Sequence, residues 1–149
     1  MAYSSTLASV PQERIAAFRR DTAVSLQASK VVCVSHLIAY WVQVQPLGQV
    51  LGEVIDGGQM LHPDVRHPLR SPAVHSAGSV PALHQKLRSA YDAASAEEEG
   101  PKDDWYEPQI RQVLGILAWA GERGEAVVMR LGWPYNEALE AQGALPRLA

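Results

Sequence analysis

Residues 105–131 read WYEPQIRQVLGILAWAGERGEAVVMRL. Ile110, Val113, Leu114, Leu117 and Ala118 recur at helical spacing, and Ile116 and Trp119 fill a second face. A helix apolar on more than one side belongs in the middle of a fold, covered by several neighbours. Asp104 and Glu107 make a D-x-x-E start, with Pro108 in the first turn, where a missing N–H does no harm. Gly124 stops the helix, and EAVVMRL at 125–131 has the β-branched run of a strand.

A second strand opens the chain. Residues 2–9, AYSSTLAS, place Tyr3, Ser5 and Leu7 on one face at period two. Ser9 and Gln12 resemble a capping box ahead of a helix at 11–20, with Ile15 and Phe18 inward. Between these ends the reading is helical. Val34, Leu37, Ile38, Trp41 and Val42 predict a helix within 30–44, with the valines making a strand the competitor, and Pro46 ends it. Leu47, Val50, Leu51, Val54 and Ile55 predict a second helix over 47–55, closed by Asp56-Gly57-Gly58. Gly48 and Gly52 within it suggest close packing against a neighbour. Residues 58–78 carry Pro63, Pro68 and Pro72 and read as a long loop with a short extended piece at 72–76. Ser79 starts a helix whose buried stripe is Val80, Leu83, Leu87, Tyr91 and Ala94. A short helix at 136–142 leads into a weakly ordered tail to 149. The expectation is one α+β domain, 1–149, helix-dominated, with its core in about 3–131. Its sheet is small, two- to three-stranded, and joins the N-terminal strand to the strand near 125–131.

Composition narrows the function. The chain has 149 residues, is 47% hydrophobic, and carries 16 acidic and 13 basic side chains, five histidines and one cysteine. A single cysteine allows no internal disulfide and no CxxC metal knuckle. The net charge of -3 argues against nucleic acid and a membrane surface as partners. No apolar run is long enough to span a bilayer. The opening residues lack the basic and apolar regions of a secretion signal, which points to the cytoplasm. The charge is uneven. Residues 1–90 hold eight Lys/Arg against five Asp/Glu, and residues 91–149 hold five against eleven.

The chain has no GxSxG, Walker, GxGxxG, HExxH or EF-hand motif, so no catalytic residue and no cofactor is assigned. Cys33, in VVCVSH, reads as a small buried hydrophobe. A nucleophilic Cys33 would need a partner such as His36, three residues on. Four of the five histidines fall between 62 and 84. His62, His67 and His75 share the proline-rich loop with Arg66 and Arg70. Imidazoles with Asp64 suit a transition metal, although their spacing fits no familiar ligand set. The arginines beside the helix start at Gly78-Ser79 suit an anion. A loop solvated by its own charges is the plain alternative. Glu97, Glu98, Glu99, Asp103 and Asp104 form an acidic segment, which is either a solvated turn or a patch for a basic partner. Trp105 with Tyr106 and Trp133 with Tyr135 lie at element ends, where such aromatics lock a helix end or form an interface. Trp41 and Trp119 read as core.

Several stretches taken together are similar to one family. MAYSSTLASVPQERIAAFRRD (1–21), VSHLIAYW (34–41), QPLGQVLGEVIDGG (45–58), HPLRSPAVHSAGSVPALHQKL (67–87) and the 105–131 segment resemble, in order, the YfbM-like proteins, small bacterial proteins of unknown function. The resemblance spans about 3–131, and the histidine-rich loop departs from it. It implies an α+β fold in a cytosolic bacterial protein and carries over no catalytic residue.

The leading expectation is a non-enzymatic protein-binding module, with an immunity-type protein and its toxin as one form of it. The alternative is a small-ligand, anion or metal-binding protein or enzyme built on loop 62–78. A third expectation is a homo-oligomer joined through Trp105 or Trp133.

Overall fold

A computed structural model describes residues 4–42, 44–62, 72–96 and 107–132. Along the chain run β1 (Ser4–Val10), α1 (Gln12–Arg20), β2 (Lys30–Ser35), α2 (Ile38–Trp41) and α3 (Leu47–Asp56). They are followed by β3 (Gln59–Met60), β4 (Ala73–His75), α4 (Val80–Ser95), α5 (Glu107–Arg123) and β5 (Ala126–Gly132). The strands form one antiparallel sheet in the order β2-β1-β5-β4-β3.

The sheet is therefore five strands wide, and the expected two- to three-stranded sheet is corrected. Strand β1 does lie beside β5, in register from Ser4↔Gly132 to Val10↔Ala126. The missing strands have separate physical reasons. Residues 30–35 form a strand where a helix was expected, because Val31, Val32 and Val34 are β-branched and the edge of β1 offers them a ladder. Only the second half of the helical pattern survives, as the single turn α2. Strands β3 and β4 have two and three residues, too few to show alternation. They form because Pro72 and Leu61 bring the ends of the long connection together, with Leu61 N–H donating to the Pro72 carbonyl at 3.0 Å.

Helices cover both faces of the sheet. Leu7, Val34, Val127 and Met129 face α2–α5, packing with Ile38, Leu51, Val54, Leu87, Ile110, Val113 and Leu117. Ala8, Val10, Val74, Ala126 and Val128 face the other way, against Ile15 and Phe18 of α1 with Leu26 and Leu61. Coverage on both faces explains why β1 is buried from Ser5 to Val10 rather than alternating. Each fully buried Leu, Ile or Phe here contributes about 1.5–3 kcal/mol.

Two glycines have a defined task. Gly124 adopts φ +65°, and its neighbour Glu125 donates N–H to the Ala120 carbonyl at 2.9 Å. That left-handed cap ends α5 and sends the chain straight into β5. Gly48 packs as its sequence suggested, since a Cβ there would lie 2.2 Å from the Val42 carbonyl oxygen, whereas Gly52 meets no such neighbour.

The expected capping box is absent. The α1 N-cap is Pro11, with no side-chain cap. Ser9 Oγ instead donates to Glu125 Oε1 at 2.8 Å, and Gln12 Oε1 accepts from Ala77 N–H at 3.0 Å. Tertiary partners win over the local cap because Ser9 lies inside a central strand. Trp119, expected in the core, is half-buried at its edge. Its indole N–H donates to Ser29 Oγ at 2.9 Å, and Arg123 stacks on its ring at 3.3 Å. The side chain of Trp41 and the helix expected at 136–142 lie outside what is described.

Candidate functional site

Of the residues proposed for a loop-centred site, Arg66, His67 and Arg70 lie outside the described residues. His62 and His75 do not come together. His62 stands edge-on to Phe18, with ring centroids 6.1 Å apart, on the α1 side of the sheet. His75 alternates with Val74 and so faces the other layer, where Nε2 meets the Val54 carbonyl at 2.9 Å. A carbonyl only accepts, so Nε2 carries the proton. Burial pushes the His75 pKa down, against the opposing hydrogen bonds to Val54 and Glu53. His75 is thus a neutral donor to the backbone of α3. Among the described residues no group of three or more His, Cys, Asp or Glu is placed to hold a metal ion. Glu97, Glu98, Glu99, Asp103, Asp104, Trp105, Tyr106, Trp133 and Tyr135 all lie outside the described residues.

Cys33 is exposed, which corrects its reading as a buried hydrophobe. It pairs with Thr6 on the face opposite Val34, in the edge strand β2. His36, by contrast, is only 8% exposed. Its Nδ1 lies 3.0 Å from Ser5 Oγ, and its Nε2 lies 3.3 Å from Asp56 Oδ1. The Asp56 carboxylate only accepts, so Nε2 carries a proton, and Nδ1 shares a hydrogen bond with the Ser5 hydroxyl. The serine–histidine–aspartate order invites a nucleophile reading. Burial decides against it, because Ser5 is 2% exposed and an acyl carbon has no approach to its Oγ. The chain of bonds instead ties β1 to the C-terminal end of α3.

A second constellation is open to solvent. Helices α4 and α5 pack side by side, and between them lies a cleft of about 430 Å³ lined by His84, Arg88, Tyr91, Arg111, Leu114, Gly115 and Ala118. His84, Arg88 and Tyr91 are spaced i, i+4, i+7 on α4, and Arg111, Gly115 and Ala118 repeat that spacing on α5. Each helix therefore presents one row to the groove. The Tyr91 hydroxyl donates to Glu107 Oε1 at 2.9 Å, and Arg111 Nη2 donates to the same oxygen at 2.9 Å. Hydrogen bonding to Tyr91, with Glu107 adding to it, holds the Arg111 pKa above its ordinary value, so the guanidinium stays charged. Arg88 pairs with Asp92 at 3.3 Å across an exposed turn, an attachment weak enough to be exchanged for a better anion. Leu114, Gly115 and Ala118 supply an apolar floor. A Cβ on Gly115 would meet nothing within 4 Å, so packing does not demand a glycine there, although one costs about 1 kcal/mol in a helix interior.

The sequence reading placed Tyr91 on the buried stripe of α4 but passed over the polar row beside it. The matching i, i+4, i+7 rows on consecutive helices were the available signal. The chain matches no protein-family model, no curated protein and no solved structure. No helix among the described residues is long and apolar enough to cross a membrane.

Proposed function

We propose that this protein is a non-enzymatic binding module that takes an acidic group of a partner protein into the α4–α5 cleft. The observation that carries the reading is the convergence of Arg88, Arg111, His84 and Tyr91 around an apolar floor. Guanidinium forks bind a carboxylate with geometric definition, and an apolar floor with a few directed polar groups is the usual make-up of a binding site. The reading moves the anion-binding expectation from loop 62–78 to the helical groove. An immunity-type role, with a toxin as the acidic partner, is one form of the proposal. Membership of the YfbM-like proteins belongs to it as well, resting on the stretches that resemble them, and adds no reaction.

The test is an amide-resolved NMR titration with a short Glu-rich peptide containing one aromatic residue, against a Lys-rich control. The expected result is shifts confined to amides near Arg88, Tyr91, Arg111 and Gly115, produced by the acidic peptide alone and suppressed by salt. Equal response to both peptides, or none at millimolar peptide, would sink the reading.

A further inference from the structure

The two edges of the sheet are treated differently. Strand β3 ends one side with only Gln59 and Met60. Strand β2 ends the other with six residues, KVVCVS, in unbroken register with β1 from Ser4↔Ser35 to Ser9↔Lys30, and among the described residues it pairs with β1 alone. Natural edges are usually blunted by proline, a bulge or an outward charge. Within β2 there is no proline, the register leaves no room for a bulge, and the sole charge is Lys30 at its first position. That ammonium lies 4.9 Å from the ring centre of Trp119, drawn toward α5. The layer containing α1 buries Ala8, Val10, Val74, Ala126 and Val128 but leaves Val31 47% exposed and Cys33 exposed on the same face.

We infer that β2 pairs antiparallel with β2 of a second copy of this chain, joining two five-stranded sheets into one of ten strands. The sequence is self-complementary in one register. The Ser35 N–H is already taken by Gln109 Oε1 at 2.6 Å, which leaves 30–34 for pairing and puts the twofold axis at Val32. Val32 then faces its own copy, Val31 faces Cys33 of the second copy, and Lys30 faces Val34. The two Lys30 side chains fall at opposite ends of the ladder, so no like charges are opposed. A five-residue ladder buries little area, so the dimer is weak and reversible, at the low end of specific interfaces.

Sedimentation equilibrium of the full chain tests this. The apparent mass should rise with concentration from 16.2 kDa toward twice that value. Val31→Lys alters an exposed side chain, so the circular dichroism should be unchanged. It should nevertheless weaken dimerisation by about tenfold or more, since a charge at mid-edge opposes strand addition. Val31→Cys supplies a register readout. Under mild oxidation with diamide the introduced thiol should cross-link to Cys33 of the second copy, whereas the wild-type chain, whose Cys33 faces Val31, should not. A mass of 16.2 kDa through the millimolar range overturns the inference. So does a dimer indifferent to Val31→Lys and not cross-linked in Val31→Cys, because it would use another surface.

Discussion

His75 and His36 show how burial assigns a histidine its work. His75 donates from Nε2 to a helix carbonyl and is held neutral by burial. Because its folded pKa lies below the ordinary 6.5, the unfolded chain binds more protons between the two values, and stability rises with pH across that window. The contribution is complete above about 6.5 and is lost as pH falls through the folded value. Urea unfolding of the wild type should give a lower midpoint near pH 5.5 than near pH 7.5, with His75→Gln showing a shallower difference. Equal slopes for the two proteins would assign the titration to another group. Ser5 Oγ shares a hydrogen bond with His36 Nδ1 at 3.0 Å. Ser5→Ala leaves a buried ring nitrogen without that partner and should destabilise by about 1–3 kcal/mol, read from the same urea curves.

At the scale of elements, two helical glycines separate the effects of propensity and packing. Gly115→Ala should stabilise by about 0.5–1 kcal/mol, because the helix gains propensity and the new Cβ meets nothing within 4 Å. Gly48→Ala should destabilise despite the same gain, because its Cβ would stand 2.2 Å from the Val42 carbonyl oxygen. Thermal midpoints of the two variants should move in opposite directions. These helices were legible because their apolar stripes are long. The periodicity of 107–123 is plain, and Val80, Leu87, Tyr91 and Ala94 recur over four turns of α4. Strand β2 was legible only as the competitor that its valines suggested, because Val34, Ile38 and Val42 happen to satisfy helical spacing across a strand and the turn that follows it. The cleft was half legible, since its rows are local while their meeting depends on how α4 and α5 pack. The bond from Ser5 to His36 to Asp56 links a strand, a turn and a helix end, and no local spacing could announce it.

For the whole molecule, β1 and its neighbour β5 are the strands that feed both layers. Leu7 enters the cluster under α2–α5, while Ala8 and Val10 enter the cluster under α1. Leu7→Ala should cost about 2–5 kcal/mol. Because β1 couples both layers, unfolding followed by tryptophan fluorescence and by far-ultraviolet circular dichroism should give coincident transitions. Separate transitions would show that the two layers melt independently. The central position of β1 also has a consequence for vectorial synthesis. Its last residue is Val10 and its inner neighbour begins at Ala126, 126 − 10 = 116 positions later. At ribosomal rates of roughly 5–20 residues per second, β1 waits on the order of ten seconds for the strand that completes the middle of the sheet. Until then the nascent chain has only β2 as a described partner for β1, and a lone hairpin is marginal in water. The two adjoining strands β1 and β5 are thus separated by most of the sheet's synthesis, and residues 4–10 keep one open edge until residues 126–132 have been made.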